Sequence, residues 1–149
     1  VISANAEGVH NENRDVPKTD MGWELYPEGL YEILVRTNRD YHPNRLMVTE
    51  NGASYADEPD ENGRIHDQKR IDYLDSHIRQ IWRAIWADVP VYGYLVWSLL
   101  DNFEWARGYS QRFGIVHVDY DTQKRTIKDS AYWFSDYIKH YFDALNNMG

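Results

Sequence analysis

Two glutamates and two tryptophans occupy positions where their side chains could line one site. Glu50 directly precedes a turn-forming Asn-Gly pair, and Glu104 and Trp105 follow Trp97 by seven and eight residues. A sugar ring has an apolar C–H face and a rim of hydroxyls, so a sugar site combines indoles with carboxylates that accept hydrogen bonds. Cleavage of a glycosidic bond also needs two carboxyl groups, one on each side of the bond. These residue types therefore indicate carbohydrate chemistry, with Glu50 as one of the pair.

Each of these features also has a purely structural explanation. A glutamate before Asn-Gly can be an ordinary loop residue, and the aromatic run at residues 97–105 can belong to the core. The six histidines form no HExxH or HxH pair, which favours solvated or core histidines. The acidic segment 57–61 lacks the spacing and the glycine of a calcium loop, which favours a solvated loop. No metal site, phosphate loop or Gly-x-Ser-x-Gly nucleophile is predicted, and no cofactor is expected.

The composition of the 149-residue chain excludes several classes of protein. A hydrophobic content of 42% and a mean hydropathy of −0.73 indicate a globular domain rather than a disordered or membrane-spanning chain. The net charge of −8 without a basic cluster argues against nucleic acid or an anionic membrane as a partner. The absence of cysteine excludes disulfides, zinc–thiolate sites and cysteine nucleophiles, and it is compatible with the cytoplasmic location that we favour.

Amphipathic and apolar segments alternate along the chain. Pro27 is typical of a first helical turn, and the apolar residues after it keep helical spacing. Residues 45–49 form a short apolar run before Asn-Gly, as a buried strand does. Asp67 is expected to cap a long amphipathic helix, and residues 92–99 form a second apolar strand. Three more elements are expected towards the C-terminus: an apolar run at 113–118, a turn at 121–124 and a final helix near 129–142.

This order of elements indicates β/α units and a parallel sheet, which makes the fold class α/β. Two parallel strands cannot complete such a sheet, so the chain is expected to be a piece of a larger fold. The first 20 residues are polar and lack apolar periodicity, as in a flexible tail or in a long loop whose preceding strand lies elsewhere. In folds of this kind the residues after the strand ends line the mouth of the active site, where Glu50 and Trp97 both fall.

Several sequence motifs, taken together, resemble glycoside hydrolase family 1, the β-glucosidase family. They are PKTDMGWE at residues 17–24, YPEGL at 26–30, VTENG at 48–52, YLVWSLLDNFEWA at 94–106, RFGI at 112–115 and KDSAYW at 128–133. A Thr-Glu-Asn-Gly motif alone would be weak support. All of these motifs in this order cover the chain from about residue 17 to about residue 142, and the resemblance is therefore specific.

The resemblance implies a (β/α)₈ TIM barrel of which this chain supplies the C-terminal portion, strands seven and eight with their helices. Residues 1–149 would then be the C-terminal part of a single glycosidase domain, and residues 1–20 would be part of the loop after strand six. The N-terminal strands would not be in this chain. The family's acid/base glutamate lies in an Asn-Glu-Pro motif on strand four, and this tripeptide does not occur here. A complementary N-terminal chain that carries it is therefore expected as a partner.

The resemblance also implies roles for individual residues. Glu50 matches the catalytic nucleophile at the end of strand seven, and Trp97 matches the floor beneath the glycone ring. Glu104 matches the carboxylate that grips the outer hydroxyls of the sugar, with Trp105 as the neighbouring donor. Two more aromatic residues match the walls of the site, with Phe113 in the same pocket and Trp23 on the aglycone side.

The implied function is that of a retaining β-glycosidase, similar to a β-glucosidase, that hydrolyses terminal non-phosphorylated β-glycosides. The branch of the family that acts on 6-phospho sugars has a small residue in place of Glu104, and a carboxylate here would repel a phosphate. A neutral sugar is therefore the expected substrate. Activity is expected only when the rest of the barrel is supplied. The alternatives are a noncatalytic carbohydrate-binding fragment that folds by itself and an inert barrel fragment.

Overall fold

The computed structural model describes the backbone of residues 15–146 and the side chains of residues 15–141. Within this part of the chain the elements are α1 (Pro27–Tyr41), β1 (Leu46–Asn51), α2 (Gln68–Trp86), β2 (Val91–Val96), β3 (Val116–Val118), β4 (Arg125–Ile127) and α3 (Asp129–Asn146). A single turn of 3-10 helix, Trp105–Arg107, lies between β2 and β3. None of the described helices is long and apolar enough to cross a membrane.

The predicted alternation of helices and strands is confirmed, with differences at the ends of the elements. β1 continues to Asn51, so Glu50 lies within the strand and not directly after it, because Asn51 still pairs with Val96 of β2. β2 ends at Val96 and not at residue 99, since the next residues turn away to pair with residues 113–116. The strand β4 was not predicted, and it forms an antiparallel hairpin with β3 around the predicted turn.

The sheet of β1 and β2 is parallel, as predicted, and one of its faces is covered by α1 and α2. The core between them is formed by buried apolar side chains of both helices, of β1 and of the segment before β2: Leu34, Val48, Ile81, Ala84 and Val89. Pro27 at the start of α1 suits the first turn, where its missing N–H is not needed. These contacts hold the two strands side by side with their C-terminal ends at the same edge.

Asp67 lies at the N-cap position of α2, but its carboxylate does not cap the helix as expected. It instead accepts hydrogen bonds from the backbone N–H and the hydroxyl of Ser130, and it forms an ion pair with Arg70. Both partners are buried, and hydrogen bonds to a charged carboxylate are strong in a buried setting. The start of α2 is thereby tied to the start of α3.

The sheet of β1 and β2 contains no third strand within the described residues, so the outer edges of both strands are unpaired. Several large apolar side chains on and next to β2 are exposed, namely Tyr92, Leu95 and Leu99. An apolar groove of about 350 Å³ lies between α2, β2 and α3 and is lined by Ile81, Trp82, Phe134 and neighbouring residues. Unpaired parallel strands with exposed apolar side chains are typical of a sheet that continues into further strands.

Candidate active site

Glu50 is exposed at the C-terminal end of β1, next to an irregularity in the sheet. Val48 pairs with Tyr94 and Asn51 pairs with Val96, so β1 has one more residue than β2 over this stretch. The extra residue is a β-bulge at Thr49 and Glu50, and both of these residues are exposed. Bulges are frequent beside active sites because they change the direction of a side chain. Here the bulge presents the carboxylate of Glu50 to solvent.

The carboxylate of Glu50 has little support from this chain. Among the residues that the structure describes, no cation and no hydrogen-bond donor contacts it. A nucleophilic carboxylate must be ionised, which usually takes a positive charge or a hydrogen-bond donor nearby. In this chain, therefore, the strand positions Glu50, but the groups that would tune its charge are not among the described residues.

The backbone that leads to Trp97 lies directly beside the end of β1. The Trp97 N–H donates to the carbonyl oxygen of Asn51 at 2.9 Å. A Cβ atom at Gly52 would overlap the carbonyl oxygen of Trp97, so only glycine fits at this position. The peptide bond between Trp97 and Ser98 is cis. The structure thus brings Glu50 and Trp97, which are distant in sequence, to adjacent strand ends.

The segment after Trp97 pairs with the segment that leads into β3. Ser98 N–H donates to the carbonyl of Phe113 at 3.2 Å, and Asp101 N–H donates to the carbonyl of Val116 at 3.0 Å. Gly114 fits between the two backbones because a Cβ atom there would overlap Leu100 and Asp101. These contacts close the base of the loop formed by residues 102–112.

Glu104 and Trp105 lie in this loop, where Glu104 is half-buried and Trp105 is exposed. Trp105 is 83% exposed and has a φ of 41°, which is unusual for a residue with a side chain. Backbone strain of this kind is concentrated at functional sites. The Oε2 atom of Glu104 is shielded from solvent and has no hydrogen-bond partner among the described residues. A shielded carboxylate oxygen without a partner is energetically costly.

Trp23 and Phe113 also lie together, with ring centroids 6.0 Å apart. Phe113 is only 2% exposed, whereas Trp23 is 52% exposed, so Trp23 presents the accessible ring. Backbone hydrogen bonds place the segments of Glu50, Trp97 and Phe113 side by side, while Glu104 and Trp105 belong to the loop that follows Trp97.

A buried cluster of charged residues fixes these segments, and it was not predicted. Lys128 donates to Asp57 at 2.8 Å and to Asp101 at 3.0 Å, and Arg70 pairs with Asp57 at 2.5 Å. Arg112 pairs with Asp101 at 2.9 Å from the far side of the loop. Asp57 is therefore buried, although the acidic segment 57–61 was expected to be solvated throughout; its other residues are exposed. Paired charges explain this burial, because an unpaired buried carboxylate would be too costly.

Burial also affects the protonation of groups around this cluster. Desolvation lowers the pKa of Lys128, and the charge of Arg70 lowers it further, whereas Asp57 and Asp101 act in the opposite direction. Burial likewise lowers the pKa of His117 and of His77. Two of the described histidines, His77 and His117, are buried and three are exposed, while His10 lies outside the described residues. In the described part of the chain, no three acidic or histidine side chains are grouped to hold a metal ion.

The sequence matches the profile of glycosyl hydrolase family 1 over residues 2–141. The chain belongs to this family. The family 1 chain is 61% identical to β-glucosidase A of Thermotoga maritima over 127 residues. The matched region covers 85% of this chain and 28% of that enzyme. The chain is 46% identical over 125 residues to a 6-phospho-β-galactosidase of Staphylococcus aureus, which covers 82% of this chain and 26% of that enzyme.

Solved structures of the Thermotoga maritima family 1 β-glucosidase match the fold of this chain with a TM-score of 0.84 at 61% identity. The match covers 85% of this chain and 28% of that structure. The fold class predicted from sequence is therefore confirmed: the chain is a C-terminal portion of a (β/α)₈ barrel, with β1 and β2 as strands seven and eight. The chain spans little more than a quarter of the length of the curated relatives it matches.

Proposed function

We propose that this family 1 chain, combined with the remaining strands of its barrel, forms a retaining β-glycosidase that hydrolyses terminal β-glucosides. The observation that carries the proposal is the arrangement of Glu50 and Trp97 at adjacent ends of two parallel strands. Residues at the C-terminal ends of barrel strands are those that form active sites in this fold. Relatives of this chain from Thermotoga maritima and Acetivibrio thermocellus, 61% and 54% identical to it, are named as β-glucosidases, which supports the same proposal.

In the proposed reaction Glu50 is the nucleophile. Its carboxylate attacks the anomeric carbon and forms a covalent glycosyl-enzyme, while a second carboxylic acid protonates the departing oxygen. Water that is activated by this second group then hydrolyses the intermediate, so the product keeps the configuration of the substrate. Trp97 stacks on the sugar ring and Glu104 accepts hydrogen bonds from its hydroxyls. These contacts accelerate the reaction to the extent that they strengthen in the transition state.

The second carboxylic acid is proposed to come from a complementary N-terminal chain. The unpaired edges of β1 and β2 and the exposed side chains of Leu95 and Leu99 are the surfaces that such a chain would cover. The same partner would supply hydrogen-bond donors that orient the carboxylate of Glu50, which no donor contacts among the described residues of this chain. Because the chain spans only a quarter of its relatives, strands one to six are the part that is needed. We call the resulting complex the assembled barrel.

The substrate is proposed to be a neutral sugar without a phosphate. Relatives of this chain are named both as β-glucosidases and as 6-phospho-β-galactosidases, so family membership alone does not separate the two. A carboxylate at Glu104 can accept hydrogen bonds from sugar hydroxyls but would repel a phosphate. Trp105 and Trp23 would complete the walls of this site, with Phe113 packed behind Trp23.

The function is tested with Glu50→Gln in the assembled barrel, with Glu58→Gln in the following loop as the matched control. The native mass first establishes that a species larger than 17.7 kDa has formed. Hydrolysis of an aryl β-glucoside by Glu50→Gln should fall by about a thousandfold or more, because loss of the nucleophile raises the barrier by several kcal/mol. The control should keep the wild-type rate.

Activity of Glu50→Gln within about tenfold of the wild type would contradict the assignment of the nucleophile. The noncatalytic alternative predicts a monodisperse 17.7 kDa species that binds glucose weakly without turnover. An inert fragment would show neither binding nor a cooperative melt.

A further inference from the structure

The bulge that presents Glu50 interrupts the regular pairing of β1 with β2. The paired positions on either side of it are Val48 with Tyr94 and Asn51 with Val96. A bulge leaves one residue unpaired and disrupts the ladder locally. In this two-stranded sheet, contacts beyond the ladder must therefore fix where Glu50 lies.

Side-chain hydrogen bonds span this bulge. The hydroxyl of Tyr94 donates to the Oδ1 atom of Asn51 at 2.9 Å. The Nδ2 atom of Asn51 donates to the hydroxyl of Tyr73 at 3.3 Å. Tyr94 is paired with the residue before the bulge, and Asn51 is the residue after it, so the Tyr94 hydroxyl bridges the two ends of the irregular stretch.

Both tyrosines are themselves held in place. Tyr73 lies on α2 and its ring stacks on His77, with centroids 3.9 Å apart. The ring of Tyr94 contacts Phe134 of α3 edge-on at 6.2 Å. Burial raises the pKa of Tyr94 and of Tyr73, so both hydroxyls keep their protons at neutral pH. The carboxamide of Asn51 is therefore fixed on both sides by groups that do not titrate in the working range.

We propose that Tyr94 is a positioning residue for Glu50, and that its hydroxyl acts through the side chain of Asn51 to hold the bulge in its observed register. The inference rests on the proposed function of Glu50 as the nucleophile. Glu50 precedes Asn51 directly, so any movement of Asn51 moves the backbone that carries the carboxylate. A displacement of roughly 1 Å in a reacting group can cost about a hundredfold in rate.

The alternative for a loosened bulge is a change of strand register. A shift of one residue in the pairing reverses which face of the sheet each side chain occupies. The hydroxyl of Tyr94 opposes such a shift because its hydrogen bond to Asn51 is made in the observed register, in which three residues of β1 lie opposite two of β2. A change of register should therefore lower the rate of catalysis and leave the binding of sugar by Trp97 and Glu104 unchanged.

The test uses Tyr94→Phe in the assembled barrel, which removes one oxygen atom and keeps the ring. Tyr92→Phe on the same strand is the matched control, since Tyr92 is exposed. Asn51→Ala and the double variant complete a double-mutant cycle. Three quantities are measured: kcat per active site titrated by covalent trapping, KM, and the dissociation constant of deoxynojirimycin. Melting temperatures monitor folding.

We expect Tyr94→Phe to lower kcat per titrated site by about tenfold, with KM and inhibitor affinity within twofold of the wild type. The double variant should be no slower than Asn51→Ala alone, because the hydroxyl acts through Asn51. An unchanged kcat per titrated site would overturn the inference, even if fewer sites titrate, since that pattern indicates a purely structural role. The inference would also be overturned if the loss of kcat in the double variant equalled the sum of the losses in the two single variants.

If the wild-type barrel is inactive, the proposed function fails and this inference fails with it. An active wild type with an unaffected Tyr94→Phe overturns the inference alone.

Discussion

Gly52 is the residue at which the end of β1 comes closest to the backbone of Trp97. A Cβ atom there would overlap the Trp97 carbonyl oxygen, so Gly52→Ala must push the two strand ends apart. We expect a loss of roughly 1–3 kcal/mol in the free energy of unfolding, as for other overpacked sites. The rate of glycoside hydrolysis should fall at least tenfold, because Glu50 and Trp97 separate.

The measurement is denaturant unfolding and kcat of the Gly52→Ala assembled barrel. Gly63→Asn is the control, since Gly63 has open space around it and asparagine tolerates its φ of 77°. A Gly52→Ala protein with wild-type stability and rate would show that the strand ends can separate freely, contrary to the structure.

At the scale of residues, the sequence predicts which side chains carry the chemistry but not the contacts that hold these side chains in place. The types and spacing of Glu50, Trp97 and Glu104 identify candidate site residues because chemistry depends on the side chain itself. The contact between Tyr94 and Asn51 was not predicted, since it joins residues 43 positions apart and depends on an irregular register. The burial of Asp57 was missed for the same reason, because its partners Arg70 and Lys128 lie far along the chain.

At the scale of elements, the buried cluster around Asp101 connects the loop of Glu104 to α3. Asp101 accepts from Lys128 at 3.0 Å and from Arg112 at 2.9 Å, and it also accepts from the backbone N–H of Gly114 at 2.9 Å. Asp101→Asn leaves Arg112 without its carboxylate partner and Lys128 with Asp57 alone, and removing one partner of a buried ion pair costs about 3–5 kcal/mol.

We therefore expect Asp101→Asn to lower the free energy of unfolding of the assembled barrel by roughly this amount. Asp121→Asn, in the exposed turn between β3 and β4, should change it by less than about 0.5 kcal/mol. Equal stabilities of the two variants, determined from denaturant unfolding, would mean that the cluster contributes nothing to the loop.

The helix α2 should make stability depend on pH through His77. Burial lowers the pKa of His77 in the folded state, although its hydrogen bond to the Tyr73 carbonyl at 2.7 Å opposes this. Below about pH 6.5 the unfolded chain takes up a proton that the folded chain does not, so the unfolded state binds more protons. The free energy of unfolding should therefore fall as the pH drops below about 6.5, by at most about 1.4 kcal/mol per pH unit for this group.

Melting temperatures of the assembled barrel between pH 5 and pH 8 test this dependence. His77→Gln should flatten the fall on the acid side, and His42→Asn, at an exposed position with a left-handed φ that asparagine tolerates, should leave it unchanged. An identical acid fall in wild type and His77→Gln would show that His77 is not the group responsible.

The sequence predicts most elements because their signals are local. The periodicity of α1 and α2 and the apolar runs of β1 and β2 arise because each element buries apolar side chains in the core. This pattern is visible in the sequence of the element itself. The strand β4 has only three residues, Arg125–Ile127, and it exists because β3 pairs with it. The early end of β2 is likewise set by residues 113–116, whose pairing with the segment after Trp97 has no local sequence signal.

At the scale of the whole molecule, the chain is an incomplete barrel with an organised strand-end site. Among the described residues the sheet of β1 and β2 has two strands, and large apolar side chains next to it are exposed. The chain also covers 28% of a family 1 β-glucosidase. All three observations indicate one part of a barrel. The sequence predicted this incompleteness because two parallel strands cannot close a sheet. The acid/base group stays a prediction from the resemblance, which places it in an Asn-Glu-Pro motif that this sequence does not contain.

The most direct test of the account is covalent labelling of the assembled barrel with an activated 2-deoxy-2-fluoro-β-glucoside, followed by mass spectrometry of its peptides. The fluorine slows both chemical steps, and the good leaving group lets the glycosyl-enzyme accumulate. We expect one fluoroglucosyl group per barrel, attached to Glu50, with no label in Glu50→Gln. A label on another residue, or hydrolysis with inversion and no covalent intermediate, would contradict the assignment of Glu50 as the nucleophile of a retaining glycosidase.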